Sequence, residues 1–315
     1  MKRGLMGTLF VVFLIACGNG QGQSQAGSPE TTSPTFDGQR AMAYLKKQVA
    51  FGPRNPGSSG HRNCKNYLLE TLRSFTSHVE EQSFIYYDNI GRKSLTLSNL
   101  IARFSPELEP RILLCAHWDT RPFADQDPDP KNRDKPILGA NDGASGVAVL
   151  LQLAELLSRF PPPIGVDLVF FDGEDYGPAG RLDQYFLGSR HFVQVNHTFY
   201  PQFAILLDMV GDAQLQLPIE GYSHQMAPQV VDRVWNLALE MEKGAFEYRI
   251  NGYINDDHVI LNQAGIPAID IIDFAYPDES NRYWHTLEDT PDKCSPASLQ
   301  TVGDVLVALI YRFNP

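Results

Sequence analysis

The stretch Val166-Asp167-Leu168-Val169-Phe170-Phe171-Asp172-Gly173-Glu174-Asp175 decides the reading of the fold. Its first six residues are almost wholly apolar, the pattern of a strand buried on both faces of a parallel sheet. It then breaks into three acids around a glycine. The same transition recurs where Ile112–Cys115 runs into His117-Trp118-Asp119, and where Ala204–Met209 carries Asp208 near its end. In an open α/β sheet the carboxyl ends of the strands line the binding crevice. Three separate segments thus aim polar groups at one place.

Outward from there, helical periodicity covers Gly38–Phe51, Gly60–Phe75, Ser145–Phe160, Asp183–Val195, Ala227–Lys243, Asp256–Ala264 and Pro296–Phe313. Strand-like runs alternate with these helices: Glu80–Tyr87, Leu95–Phe104, Arg111–Ala116, Val166–Phe171, Phe203–Met209, Gln214–Leu217 and Ile266–Ile272. The first two follow one another directly and predict an antiparallel pair. The later ones are apolar and separated by helices, which predicts parallel pairing. The fold class is therefore α/β, a three-layer α/β/α sandwich on a mixed, mostly parallel central sheet. With no internal repeat and no second linker, residues 36–315 read as one catalytic domain.

The N-terminus reads differently. Residues 1–16 place Lys2 and Arg3 before the apolar run Leu9–Ala16, much shorter than the roughly 20 residues of a membrane-spanning helix, as in a signal peptide. The ending Leu14-Ile15-Ala16-Cys17 is similar to the lipobox of bacterial lipoproteins, which implies lipid attachment at Cys17. Residues 17–35, rich in Gly, Ser, Gln, Thr and Pro, read as a flexible tether. The expectation is an exported protein, lipid-anchored in the bacterial cell envelope and touching membrane through that lipid only, with a monomer as the default. A formal net charge of −11 argues against nucleic acid as a partner. None of the four cysteines stands in a CxxC pair, which speaks against a thiolate zinc site. Cys64 and Cys294 remain open as disulfide partners.

Three segments supply a metal-ligand constellation. Gly139-Ala140-Asn141-Asp142-Gly143-Ala144-Ser145-Gly146 sets Asp142 in a glycine-rich turn before a helix, Glu174-Asp175 pairs two carboxylates, and Tyr283-Trp284-His285-Thr286 offers an imidazole in a polar loop. Two carboxylates and a histidine make a three-ligand zinc site of the open, catalytic type. Neighbouring extended residues point to opposite sides. One member of the Glu174-Asp175 pair is thus expected to face the metal and the other the substrate, as a proton carrier.

In their order, His117-x-Asp119, Asn141-Asp142-Gly143, Glu174-Asp175, Leu207-Asp208, Asp256-Asp257-His258 and Trp284-His285-Thr286 resemble the zinc aminopeptidase superfamily, family M28. Within it the chain is most similar to the animal-type glutaminyl cyclases and their bacterial relatives. The resemblance runs from about Phe36 to the C-terminus and includes Phe51-Gly52-Pro53-Arg54-Asn55-Pro56-Gly57-Ser58. It implies zinc held by Asp142, Asp175 and His285, Glu174 as the general acid and base, Asp208 and Asp257 as a carboxylate network beside it, and Trp284 as a wall of the substrate pocket. The substrates implied are peptides or proteins with an N-terminal Gln, which become pyroglutamate with release of ammonia. The sequence departs from the family at Asp175, where Glu is usual, one methylene longer. One zinc ion is expected. His117 with Asp142 and Asp208, beside Asp119, keeps a second ion open, as in an aminopeptidase that activates water between two metals. An inactive, peptidase-like binding lipoprotein is the reading from a different class.

Overall fold

Four strands explain why the acids converge. In this computed structural model, which describes residues 34–314 together with Met1, Gly4 and Gly7, strands β3 (Arg111–His117), β4 (Gly165–Phe171), β5 (Ala204–Asp208) and β8 (Ala268–Ile272) run parallel. Their carboxyl ends therefore share one edge. The long strands β1 (Val79–Asp88) and β2 (Lys93–Phe104) extend the sheet antiparallel, giving the order β1-β2-β4-β3-β5-β8. Apart from the three isolated positions, the proposed signal segment, Cys17 and nearly all of the tether lie outside the described residues.

Each central strand is buried on both faces, so its side chains divide between two cores with the period of two that a pleated strand imposes. Ile112, Leu114 and Ala116 of β3 face one core together with Val166, Leu168 and Phe170 of β4. Leu113, Cys115, Val169 and Phe171 face the other. The first core is covered by α1 (Gly38–Val49), α2 (Ser59–Phe75), α3 (Ala144–Arg159) and α8 (Pro296–Tyr311), the second by α4 (Leu187–Val195) and α7 (Asp257–Gln263). These are the three expected layers. Helix α3 is buried almost all round, from Ala144 to Leu157, which suits a helix packed between sheet and other helices. Cutting Leu114 back to alanine here costs about 2–5 kcal/mol.

The one polar residue among β4's buried positions is accounted for. Asp167 receives Nε and Nη2 of Arg111 at 3.0 and 2.6 Å, a bidentate pair that offsets the cost of burying a charge. Helix starts follow local chemistry. Asp37, Ser58 and Ser295 cap α1, α2 and α8 by accepting backbone N–H bonds.

Five elements differ from the sequence expectation. The strand expected at Gln214–Leu217 is β6 at Leu217–Ile219, and it pairs with β7 (Phe246–Ile250), which the periodicity did not reveal, in a separate two-stranded sheet. Helix α5 (Gly221–Met226) was not anticipated, and α6 is confined to Pro228–Glu240. The helix expected from Asp183 begins at Leu187, because Phe186 adopts a left-handed backbone at φ 59° and interrupts it. Cys64, Cys115 and Cys294 all carry free, buried thiols, so the open question of a Cys64–Cys294 bridge resolves as none.

Candidate active site

The loop between β3 and α3 brings in the first candidate ligand. Asp142 stands at the end of a turn whose next residue, Gly143, has φ 96°, and a Cβ there would lie 2.7 Å from the Asp119 carbonyl oxygen and 3.0 Å from the His117 ring. Only glycine fits that approach. The loop is also pinned from the side. Asp289 accepts the N–H groups of Asn141 and Asp142 at 2.8 and 3.1 Å and the Tyr276 hydroxyl at 2.9 Å, while Asn141 Oδ1 accepts the Gly211 N–H at 2.7 Å. Burial and the Asp142 charge push the Asp289 carboxyl up to about 7.

Asp142, Asp175 and His285 come together as the sequence implied, with one donor atom from each within 4.8 Å of the others. His285 Nε2 lies 3.5 Å from Asp142 Oδ2 and 3.3 Å from Asp175 Oδ2. All three residues are buried. Among the described residues Asp175 Oδ2 has no hydrogen-bond partner, an arrangement that would cost free energy unless a cation completed it. Oxygen, oxygen and imidazole nitrogen around a buried orphan oxygen fit a divalent metal of zinc type. His285 holds its ligand pose at φ 55°, a backbone strain of the kind found at functional sites.

Beside this trio lies a second acidic group. Glu174, Asp208 and Asp256 line the same cavity, of about 370 Å³, as Asp142, Asp175 and His285. Burial, then Asp256 and Asp175, push the Glu174 carboxyl well above its ordinary range, with His117 opposing. Asp208 and Asp256 shift upward too, Asp208 from burial and the Asp142 and Asp175 charges, Asp256 from burial and the Asp208 and Asp257 charges. Asp142, by contrast, is held low, because the charges of His117 and His285 outweigh its burial. Glu174 and Asp175 line one cavity rather than opposite sides, since the chain leaves the extended conformation at Gly173, φ 75°.

His117 sits between the two groups. Its Nε2 is 3.2 Å from Asp208 Oδ1 and 3.3 Å from Asp142 Oδ1, and its Nδ1 is 3.6 Å from Asp119 Oδ1 and 3.8 Å from Glu174 Oε2. Asp119 also accepts the Glu174 N–H at 3.1 Å. Trp284 forms a wall, as expected, stacking on the His285 ring at 3.7 Å with Phe274 edge-on behind it at 5.1 Å.

One position needs correction. Asp257 does not line the cavity. Its Oδ1 accepts the Ser189 hydroxyl at 2.5 Å, inside the α4–α7 layer. The adjacent Asp256 does line it, from an extended backbone that caps α7. Two further residues escaped the sequence reading, Arg121 and Asp125. Arg121 Nη1 donates to Asp175 Oδ1 at 2.5 Å, and its Nε and Nη2 donate to Asp125 at 2.8 and 2.7 Å. Their segment holds so many charges of both signs that nothing singled them out.

The sequence and the architecture have counterparts among known proteins. Residues 99–310 match Peptidase family M28. A glutaminyl-peptide cyclotransferase-like protein of Mus musculus is 27% identical over 292 residues, 82% of this chain and 72% of that protein. The structure of Bacteroides thetaiotaomicron glutaminyl cyclase bound to N-acetylhistamine superposes with a TM-score of 0.85 at 38% identity, covering 90% of this chain and all of that one. A Zn-dependent exopeptidase from Parabacteroides distasonis superposes at 0.84 and 36% identity, covering 89% and 99%. With the matched segment spanning every candidate ligand position and most of the sheet, the chain belongs to peptidase family M28.

Proposed function

We propose that this protein is a zinc-dependent glutaminyl-peptide cyclotransferase that converts the N-terminal Gln of peptides or proteins to pyroglutamate. The observation that carries the reading is Glu174 on the cavity wall next to the three metal ligands, with its carboxyl raised by burial and by Asp256. A carboxyl raised in this way is suited both to take and to return a proton. The likeness to glutaminyl cyclases along nearly the whole described chain supports the same assignment.

In the reaction a bond forms between the α-amino nitrogen and the side-chain carbonyl carbon of one Gln, and the bond from that carbon to the amide nitrogen breaks. One proton moves from the attacking amine to the departing nitrogen, which leaves as ammonia. Asp142, Asp175 and His285 would hold zinc, which when bound supplies Lewis-acid polarisation of the γ-carbonyl. Glu174 accepts the amine proton and delivers it to the leaving nitrogen. Asp256 keeps that carboxyl basic enough to do so, and Asp208 lines the same cavity. Trp284 and Phe274 wall the cavity against water and favour a curled Gln, which removes part of the entropic barrier.

A second reading rests on His117, Asp142 and Asp208, whose donor atoms also lie within 4.8 Å of one another. Two metals there would suit an aminopeptidase. Incubation with Gln-initiated and Leu-initiated peptides separates the two: ammonia from the first without cleavage of the second supports the cyclase, and cleavage of the Leu peptide sinks it. Export and lipid anchoring through Cys17 belong to the same proposal, on the strength of Leu14-Ile15-Ala16-Cys17. Labelled fatty acid should enter the full chain and not its Cys17→Ala variant; equal labelling would refute the anchor.

A further inference from the structure

Asp175 is a short ligand with one oxygen already engaged. Its Oδ1 accepts Nη1 of Arg121 at 2.5 Å, while the buried Oδ2 is free and faces His285 Nε2 at 3.3 Å. The same guanidinium turns its other edge to Asp125, donating through Nε and Nη2 at 2.8 and 2.7 Å. Asp125 Oδ1 in turn stands 3.5 Å from Nδ1 of His285, a charge contact longer than a hydrogen bond, on the side of the ring away from Asp142 and Asp175. Arg121 is itself 1% exposed, and Nη1 is further fixed by the Gly177 carbonyl at 3.1 Å and the Tyr185 hydroxyl at 2.9 Å. The 121–127 segment is stapled to the His285 loop by bonds from Gln126 N–H to His285 O at 3.2 Å and from Leu287 N–H to Asp127 Oδ2 at 3.1 Å.

We propose that Arg121 is a positioning residue that sets two of the three metal ligands at once, holding Asp175 directly as a one-oxygen ligand and His285 through Asp125. This rests on the zinc reading of the trio. The argument is geometric. A carboxylate with a short stem has little freedom to reach a metal at about 2.0–2.2 Å, so its orientation must be set from behind, and a planar fork with donors on two edges does that for two partners. Partners behind the ligands commonly change metal affinity by about 10–100-fold. Arginine also keeps its charge in this burial. Desolvation works against it, but Asp175 and Asp125 hold its pKa above the ordinary value. Lysine offers one point of attachment and cannot grip Asp125 with two bonds while holding Asp175.

The test is zinc affinity, measured by competition with a chelator on the folded metal-free protein, with circular dichroism as the check on folding. Arg121→Gln is expected to weaken zinc binding by about 10–100-fold. Arg121→Lys should weaken it comparably, and Asp125→Asn by less. The double variant Arg121→Gln/Asp125→Asn should bind no worse than Arg121→Gln alone, because both act through one chain of contacts. Cobalt(II) loading gives a second readout: release of Asp175 Oδ1 in Arg121→Lys lets it add a donor, so the visible bands should weaken as the coordination number rises. Wild-type affinity and an unchanged cobalt spectrum in Arg121→Lys would overturn the proposal, since charge alone would then suffice. Where Arg121→Gln does not fold, an Asp125→Asn variant with unaltered zinc affinity overturns it equally. Metal binding does not depend on whether the enzyme cyclises or cleaves, so failure of the cyclase reading appears separately, in the peptide assay.

Discussion

The two walls of the cavity hold similar numbers of buried acids and treat them in opposite ways. On one wall Asp142 and Asp175 face His285, and Arg121 backs Asp175, so negative charge is balanced where it sits. On the other, Asp256 raises Glu174 and Asp208 raises Asp256, while His117 reaches Glu174 and Asp208. Carboxylates facing cationic partners are suited to hold a metal, whereas acids raised by burial and by neighbouring acids are suited to trade protons. The contrast lies in the neighbours rather than in the acids, for Glu174 and Asp175 are adjacent in sequence.

The sharpest way to break this contrast is to remove one function and leave the other. Glu174→Gln is expected to lower turnover by about 10²–10⁴-fold, the usual contribution of a positioned acid–base group, while zinc content stays that of the wild type. Activity close to wild type in that variant would remove the proton-carrying role. Chelation does the reverse. Metal-free enzyme should release no ammonia, and zinc should restore it.

A finer distinction separates Asp256 from its neighbour. Asp256→Asn should lower kcat by about tenfold or more, because it lines the cavity and raises Glu174. Asp257→Asn should cost only a few-fold, since Asp257 is engaged by Ser189. Steady-state kinetics on the pair decides it, and the opposite ranking would restore Asp257 to the role the sequence suggested.

That reversal marks where the sequence stops being readable. Runs such as Ile112–Cys115 and Val166–Phe171 announce buried strands through composition alone, and acids at their ends announce the crevice. Asp142, Asp175 and His285 were legible because each stands in a short segment of marked composition. Asp256 and Asp257 were not separable, because a helix start turns two neighbouring side chains into different layers, and pattern does not say which faces the cavity. Arg121 and Asp125 were hidden for another reason: their roles arise from contacts 54 and 160 positions away, to Asp175 and His285, that no local signal encodes. Strand β7, pairing only with the three-residue β6, lacks the apolar run that marked the main sheet.

The pH profile sharpens the same comparison by a smaller effect. Glu174 must be deprotonated to accept the amine proton, and its carboxyl is raised, so kcat/KM should fall as pH drops through a point well above the ordinary carboxylate range. In Asp256→Asn that acid limb should move to lower pH, because one of the charges raising Glu174 is gone. A limb that stays in place would count against the crowding argument.

The smallest effect concerns stability away from the metal. Burial pushes the Asp273 carboxyl up to about 7, although it accepts N–H bonds from Gln216 and Ala275. A carboxyl raised on folding contributes stability that is complete below its unfolded pKa and is lost as pH rises through the folded value. Thermal melts should thus show stability falling between about pH 4 and about pH 7, and Asp273→Asn should flatten part of that slope. An unchanged slope would mean that other groups govern it.

The division between a ligand wall and a proton wall is tested most directly by titrating the metal-free enzyme with zinc while following ammonia release from a Gln-initiated peptide. The account predicts activity that saturates at one zinc per chain, with a Leu-initiated peptide left intact throughout. Activity that keeps rising to a second equivalent, together with cleavage of the Leu peptide, would contradict it by making Asp208 and His117 ligands as well.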